Sequence, residues 1–337
     1  MIHKVIVVGC GNMSNTWLDY VDQRENTQIV ALVDLNIDCA IAMAQKRKLN
    51  VPVYSELSQA LTNTEANLVF DITIPSSHKY VAKTALEAGC NVFSEKPMTE
   101  TMQDAKDLIV VTESTGKKYT IMQNRRYIKQ IRAFRDILNK GSIGAVDSLH
   151  ADFFLGAHFD GFRSVMDSPL LLDMAIHTFD QARFISGADP VSVYCHEYNP
   201  KGSWYKGNAS SICIFEMSDG SVFSYRGSWS AEGFNTSWEG SWRATGEKGT
   251  VLWDGNTLPS CEVIDETKPK GFTNVFKRIE VSSEWYGNEG HWGCLDEMFA
   301  SIEENRLAET DSRDNVKSMA MVFGALESAR KGTKIIL

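Results

Sequence analysis

Three polar residues recur at helical spacing within residues 170–185, a segment predicted to form one helix. Asp173, His177 and Asp180 stand at positions i, i+4 and i+7, so we expect their side chains to share one face. An imidazole titrates near neutral pH and can take a proton from an alcohol, which is chemistry that such a face could support. The alternative is a core histidine hydrogen-bonded to a carboxylate such as Asp173, because structural networks of this kind are common.

A glycine turn follows the first apolar run of the chain. Gly9-Cys10-Gly11-Asn12-Met13-Ser14 comes after a predicted strand, and a predicted helix begins at its end. Such a turn lets the backbone approach a pyrophosphate, and the helix N-terminus offers N–H groups to the anion. Ser14 replaces the third glycine with another small residue. The predicted cofactor contacts here are Gly9, Gly11, Asn12 and Met13; an ordinary strand–helix turn is the alternative.

Asp34 ends the second predicted strand, where a carboxylate can accept hydrogen bonds from the adenosine ribose hydroxyls. Leu35 and Asn36 follow, and neither can bind a 2′-phosphate as an arginine would. The sequence therefore predicts NAD as the cofactor in preference to NADP. The alternative is that Asp34 caps the next helix, although Asn36 could serve that purpose equally well.

Lys96 stands at the end of another short predicted strand, in Ser94-Glu95-Lys96-Pro97. Ligands of open α/β sheets bind at the carboxyl ends of the strands, and an ammonium there would stabilise a developing alkoxide. Pro97 restricts the preceding backbone to extended conformations. A solvated surface lysine is the alternative. Glu95 could orient Lys96 or form a local ion pair at the strand end.

The elements that must position these residues change in character near residue 124. In the first third, apolar strands alternate with helices, which predicts a parallel sheet covered on both faces. These segments are Lys4–Val8, Met13–Arg24, Ile29–Val33, Ile37–Lys48, Leu68–Ile74, Ser77–Ala88, Asn91–Phe93, Met102–Thr115 and Tyr119–Met122. We therefore expect a dinucleotide-binding domain over residues 1–123.

Strand-like segments with hairpin connections dominate the remainder, which predicts an open, mostly antiparallel sheet with helices on one face. The predicted strands are Val146–Leu155, Val191–Tyr198, Ala209–Met217, Ser221–Trp229, Trp238–Thr245, Gly249–Trp253, Cys261–Ile264 and Val275–Val281. The predicted helices are Ile128–Asn139, Leu170–Ile185, Gly293–Asn305 and Arg313–Arg330. The fold class is thus α/β, with a second α/β domain over residues 124–337 for substrate binding and oligomerisation.

Composition excludes several classes of protein. The chain has 337 residues and a net charge of −9, which disfavours a nucleic-acid partner because such proteins show a basic surplus. Its seven cysteines are scattered and include no C-x-x-C pair, as expected of reduced cytoplasmic thiols without a metal site. No apolar run reaches the ~18 residues of a membrane span, so we expect no membrane partner and a cytoplasmic location.

Four segments taken together resemble the glucose–fructose oxidoreductase, inositol dehydrogenase and rhizopine-catabolism (Gfo/Idh/MocA) family. They are the glycine turn, Ile74-Pro75-Ser76-Ser77-His78, Ser94-Glu95-Lys96-Pro97 and Asp173-Met174-Ala175-Ile176-His177-Thr178-Phe179-Asp180. The resemblance covers essentially the whole chain. It implies an N-terminal Rossmann domain, a C-terminal α/β domain with an open sheet, and metal-free hydride transfer between a nicotinamide and a secondary hydroxyl or ketone of a sugar or cyclitol.

The resemblance also implies roles for individual residues. Lys96 resembles the family lysine that lies between nicotinamide and substrate. Asp173 resembles the substrate-binding acid, and His177 resembles the histidine that transfers a proton. The junction Asn124-Arg125-Arg126 resembles the segment that follows the sixth strand. Many relatives have glycines where this chain has Ser168, Pro169 and Ala175, so the backbone before His177 is expected to follow a different path.

The remaining site predictions rest on placement. His78 is expected either to line the nicotinamide half of the cofactor or to be a plain helix residue, and Arg126 either to reach substrate or to anchor the domain junction. His158 and Arg163, in the loop before the catalytic helix, are plausible substrate contacts. The full predicted cofactor set is Gly9, Gly11, Asn12, Met13, Asp34, Ile74, Pro75, His78, Glu95, Lys96 and Asn124. The substrate set is Lys96, Arg126, His158, Arg163, Asp173 and His177.

The function predicted is an NAD-dependent dehydrogenase for a sugar, glycoside or cyclitol hydroxyl. Two alternatives stay open: an NADP-linked carbonyl reductase, and a non-catalytic sugar or dinucleotide sensor, because fold alone does not fix function. Seven of the eight tryptophans lie between Trp204 and Trp292. Most are expected to pack the sheet, and an aromatic sheet face could also join subunits. We therefore expect a homodimer or homotetramer through the C-terminal sheet.

Overall fold

The structure is a computed structural model that describes residues 2–337. The chain folds into two compact units, one of Met1–Asn124 with Asn288–Val316 and one of Arg125–Gly287 with Lys317–Leu337. Within residues 2–337, no helix combines the length and the apolar character needed to span a membrane.

The first unit contains a six-stranded sheet whose strands all run parallel, in the order β3-β2-β1-β4-β5-β6. The strands are β1 (His3–Val8), β2 (Thr27–Val33), β3 (Val53–Tyr54), β4 (Leu68–Asp71), β5 (Asn91–Ser94) and β6 (Tyr119–Ile121). The helices are α1 (Ser14–Val21), α2 (Ile37–Arg47), α3 (Leu57–Asn63), α4 (Pro75–Glu87) and α5 (Met102–Thr115). The predicted parallel sheet is confirmed; β3 and α3 were not predicted, because two and seven residues are too few to show a period.

A later helix completes the core of this unit. In α9 (Gly290–Glu303), Phe299 contacts the rings of Phe70 on β4 and Phe93 on β5. Its ring also stacks on Tyr20 of α1, at a centroid distance of 5.9 Å. The expected single division between residues 123 and 124 therefore differs from the structure, because α9 buries its apolar face with the parallel sheet.

The second unit is built on a nine-stranded sheet in the order β14-β13-β12-β11-β7-β10-β9-β8-β15. Neighbouring strands are antiparallel apart from the parallel pair β7–β10, as predicted. The strands are β7 (Val146–Phe154), β8 (Pro190–Tyr198), β9 (Ser210–Met217), β10 (Val222–Ser228), β11 (Ser241–Gly246), β12 (Gly249–Trp253), β13 (Ser260–Ile264), β14 (Phe276–Ile279) and β15 (Ile335–Ile336). The remaining helices are α6 (Lys129–Asn139), the short α7 (Phe162–Val165), α8 (Ile176–Ser186) and α10 (Ser312–Lys331). The first turn of α10 belongs to the first unit and the rest of that helix to the second.

Helix α8 covers one face of this sheet and carries the polar residues of interest. Phe179 packs against Phe215 on β9 and Tyr225 on β10, with centroid distances of 4.9 and 5.2 Å. Residues 170–185 were predicted as one α-helix, but Leu170–Ala175 form a π-helical turn ahead of α8. A π-turn inserts an extra residue per turn and is frequent at functional sites. The simple i, i+4 relation between Asp173 and His177 therefore needs correction, since Asp173 lies in the wider turn.

Candidate active site

The β1–α1 turn has a glycine at each of two positions that a dinucleotide would approach. Gly9 has φ +91°, and a Cβ there would lie 2.5 Å from the carbonyl oxygen of Ile72, so only glycine fits. A Cβ on the exposed Gly11 would meet no atom within 4 Å. Helix α1 has no side-chain N-cap. The N–H groups of Asn15 and Thr16 donate to the backbone oxygens of Asn12 and Met13, so an anion would meet the N–H groups that precede them. Asn12 and Met13 are exposed on the same turn. These features fit the pyrophosphate of a dinucleotide.

Asp34 closes the other side of this turn. Its Oδ2 accepts a hydrogen bond from the backbone N–H of Cys10 at 2.8 Å, and its Oδ1 accepts one from the N–H of Asn36 at 2.9 Å. Burial, with a contribution from Asp34, raises the pKa of the Cys10 thiol to about 12. The Asn36 side chain caps α2 by accepting from the N–H of Asp38. Asp34 is therefore not the cap of α2, and its half-exposed carboxylate fits a ribose diol.

Lys96 and its neighbours lie at the carboxyl ends of the adjacent strands β4 and β5. Glu95 accepts a hydrogen bond from the indole nitrogen of the buried Trp17 at 2.9 Å, which ties the lysine-bearing segment to α1. Trp17 was not singled out from the sequence, although it stands apart from the other seven tryptophans. Ile74 is exposed and precedes Pro75, the first residue of α4. The structure thus brings Ile74, Pro75 and Lys96 to the same sheet edge as the glycine turn.

His78 does not present a ring to this edge. It is fully buried, with Nδ1 2.7 Å from the carbonyl oxygen of Pro97 and Nε2 3.2 Å from that of Thr73. The expectation that it lines the nicotinamide half is corrected: the imidazole links the start of α4 to the segment after Lys96. Asn124, at the end of this unit, has its side-chain amide nitrogen 3.3 Å from Nδ1 of His291.

In the second unit the structure brings Asp173 and Arg163 together. Arg163 Nε donates to Asp173 Oδ2 at 2.6 Å, and the guanidinium lies over the rings of Phe159 and Phe162. His177 begins the next turn of the chain, on α8, and is nearly buried. The predicted acid and histidine therefore occupy successive turns of one continuous helical segment.

Arg126 is buried and ion-paired in the second unit. Its guanidinium makes a bidentate pair with Asp180, with Nε–Oδ2 2.7 Å and Nη2–Oδ1 2.6 Å, and both side chains are buried. Ser318 on α10 donates to the same carboxylate at 2.7 Å. Both residues belong to the second unit, and the pair fastens Arg126, the last residue of a 3₁₀ turn, to α8. Its place in the substrate set is corrected, and so is the prediction that Asp180 shares a polar face.

His158 lies in an exposed loop. Its ring stacks on Trp204 at 3.6 Å, and its Nε2 lies 2.9 Å from Glu232. Glu197 was not predicted: it accepts a hydrogen bond from Ser168 at 3.0 Å, directly before the π-turn, while its Oε1 is buried. Burial raises the pKa of Glu197 to about 7. The sequence held no signal for it beyond its place in a strand.

Comparisons with known proteins agree with this architecture. Residues 3–123 match the model of an oxidoreductase family with an NAD-binding Rossmann fold, and residues 131–252 match the GFO/IDH/MocA C-terminal domain. An uncharacterised Sinorhizobium fredii protein, y4oX, is 25% identical over 99% of this chain and 96% of its own length. Inositol 2-dehydrogenase/D-chiro-inositol 3-dehydrogenase of Lacticaseibacillus casei is 27% identical over 57% of this chain, and the match spans 56% of that protein.

Solved structures share the fold over nearly the full length. An oxidoreductase from Agrobacterium radiobacter, crystallised with NAD+, L-tartaric acid and magnesium, has a TM-score of 0.86 at 18% identity, covering 100% of this chain and 98% of that one. The WlbA dehydrogenase from Bordetella pertussis, crystallised with NADH and UDP-GlcNAcA, has a TM-score of 0.81 at 20% identity, covering 100% and 99%. The predicted fold, family and cofactor are confirmed. The chain belongs to the Gfo/Idh/MocA family of oxidoreductases, with an NAD-binding Rossmann domain over residues 3–123.

Proposed function

We propose that this protein is an NAD-dependent dehydrogenase that oxidises a secondary hydroxyl of a sugar, glycoside or cyclitol, or reduces the corresponding ketone. The observation that carries the proposal is the position of Lys96 at the carboxyl end of β5 in an NAD-binding sheet, where ligands of such sheets bind. The inositol dehydrogenase among the relatives supports a polyol as the substrate class.

The side chains divide the chemistry between them. The Lys96 ammonium stabilises the negative charge that develops on the substrate oxygen, and the His177 imidazole accepts the hydroxyl proton. Asp173 binds the substrate, together with Arg163. Trp17 and Glu95 hold the Lys96 segment in place through their hydrogen bond. When bound, the nicotinamide supplies the hydride acceptor, so none of these residues changes its oxidation state.

The glycine turn and Asp34 hold the cofactor in this proposal. The backbone at Gly11 and the uncapped N-terminus of α1 receive the pyrophosphate, and the Asp34 carboxylate receives the ribose hydroxyls. A 2′-phosphate would bring negative charge next to that carboxylate and to the exposed Leu35. We therefore expect NAD to be used in preference to NADP.

The test is an absorbance screen of NAD reduction over inositols, free hexoses and glycosides, repeated with NADP. On the best substrate, Lys96→Met and His177→Ala should each lower kcat by about 10²-fold or more, and His177→Ala should leave the affinity for NAD near that of the wild type. Lys106→Met, on the exposed side of α5, is the matched control and should leave kcat unchanged. Near-wild-type turnover in both active-site variants contradicts the assigned roles. NAD binding without turnover of any polyol would instead favour a sensor.

We also propose that two copies of the chain associate through the open face of the nine-stranded sheet. Tyr194 on β8 pairs with Ile214 on β9, and His196 pairs with Ile212. Tyr194, Ile212 and Ile214 are all exposed, which makes an apolar patch of the kind found at subunit interfaces. Light scattering on the Ile212→Asp, Ile214→Asp double variant should show monomers where the wild type shows oligomers; a monomeric wild type contradicts this proposal.

A further inference from the structure

The guanidinium of Arg163 presents an unused edge. Its Nε donates to Asp173, but across residues 2–337 the structure shows no hydrogen-bond acceptor at Nη1 or Nη2. The side chain is 35% exposed, so this edge is open to a ligand. A guanidinium can engage a planar partner through its Nε edge or through its Nη1/Nη2 edge. The bond to Asp173 uses only the Nε edge.

Two aromatic rings border this group. The guanidinium carbon lies 5.3 Å from the ring centroid of Phe159 and 4.7 Å from that of Phe162. Phe159 in turn contacts Trp229, whose ring is stacked with Tyr205 at 6.0 Å. The cation is therefore bordered by aromatic surface. Aromatic faces suit the C–H faces of a sugar ring, and the oriented N–H pair suits a planar oxyanion.

We propose that the substrate carries a carboxylate, as sugar acids do, and that the Nη1/Nη2 edge of Arg163 binds it. This inference rests on the proposed function and names its substrate class. Two parallel N–H groups match the two oxygens of a carboxylate, and such charge-assisted bidentate pairs are about twice as strong as neutral hydrogen bonds. A phosphate dianion fits less well, because the Asp173 carboxylate already shares the same guanidinium and the chain carries a net charge of −9.

The test compares matched substrates on the NAD-loaded protein. Initial rates of NAD reduction are measured with glucose and glucuronate, with galactose and galacturonate, and with glucose 6-phosphate. The wild type should favour each uronate over its neutral hexose by about 10²-fold in kcat/KM, because a site built for a charged group rejects analogues that lack it. Arg163→Gln should abolish this preference, mainly through KM for the uronate. Arg163→Lys keeps the charge without the bidentate edge and should retain only part of the preference.

The control is Arg278→Gln on β14, whose guanidinium is ion-paired with Glu262 at the surface; the uronate preference should persist. Equal use of uronate and hexose by the wild type, an equal loss on both in Arg163→Gln, or a preference for the phosphate overturns the inference. If no compound turns over, calorimetric titration of uronates into the NAD-loaded protein separates the two proposals. Binding that Arg163→Gln abolishes supports the carboxylate site while the dehydrogenase proposal fails. Absence of uronate binding overturns the carboxylate site.

Discussion

The same added methyl group should have opposite consequences at the two glycines of the β1–α1 turn. In Gly9→Ala, the new Cβ would lie 2.5 Å from the carbonyl oxygen of Ile72 and 2.7 Å from its carbon, on a residue with φ +91°. These are backbone atoms of a buried segment, so moving them aside costs free energy. In Gly11→Ala, the new Cβ would meet nothing within 4 Å. The first change therefore perturbs the fold, and the second perturbs only what approaches from outside.

The magnitudes follow from these contacts. Left-handed backbone costs an alanine ~1–2 kcal/mol, and forcing extra atoms into a packed site costs ~1–3 kcal/mol. Gly9→Ala should thus lower the free energy of unfolding by about 2–5 kcal/mol. Gly11→Ala should change it by no more than about 0.5 kcal/mol. Its methyl group should instead weaken NAD binding about tenfold or more, equivalent to ~1.4 kcal/mol, by obstructing the approach of the pyrophosphate.

Two measurements separate the effects. Urea denaturation followed by circular dichroism gives the stability of the wild type and both variants, and calorimetric titration gives the dissociation constant for NAD. A Gly9→Ala protein as stable as the wild type would show that the turn can relax around the added methyl group and that the approach of Ile72 does not require glycine. A Gly11→Ala protein that binds NAD as tightly as the wild type would contradict the proposed position of the pyrophosphate at this turn.

Three further predictions concern single carboxylates. Asp34→Ala should raise KM for NAD about tenfold (~1.4 kcal/mol) and increase the ratio of NADP to NAD activity; an unchanged ratio in steady-state kinetics would place the ribose elsewhere. Asp180→Ala removes the bidentate partner of the buried Arg126 and should cost about 3–5 kcal/mol in urea denaturation, whereas a loss near zero would mean that water reaches the guanidinium. Burial raises the pKa of Glu197 from 4.5 to about 7, so the folded protein keeps a proton that the unfolded chain has lost between these values. The free energy of unfolding of the wild type should therefore fall as pH rises through that window. Between about pH 5 and pH 8, the stability of Glu197→Gln relative to the wild type should rise; parallel curves of stability against pH would contradict the raised pKa.

Local features of the fold were predictable where a few adjacent residues determine them. Met102–Thr115 was predicted with the bounds that the structure shows, because Gly116 follows it in the left-handed conformation at φ 66°. The glycine turn was predictable for a similar reason, since the tight approach of Gly9 to Ile72 excludes any side chain. Such features depend on adjacent residues, so they can be predicted without knowing the contacts between distant parts of the chain.

What the sequence left open depends on residues that are far apart in the chain. Arg126 pairs with Asp180 across 54 positions, and nothing local distinguishes an arginine that meets a carboxylate from one that meets substrate. His78 is buried by its contacts with Pro97 and Thr73 rather than by its own helix. The apolar pattern of α9 predicts a helix but does not say which sheet it covers. The π-turn inserts one residue into a helical pattern that otherwise looks regular.

The place of Phe299 has a consequence for how the NAD-binding half is made. A fragment ending at Asn124 would leave the rings of Tyr20, Phe70 and Phe93 without their covering helix, so it should be prone to self-association when expressed alone. During synthesis, this half stays incomplete until the ribosome has passed residue 316, after nearly all of the other half has emerged. The cofactor-binding half, although encoded first, is therefore finished late, and a minimal version of it must graft residues 288–316 onto residues 1–124.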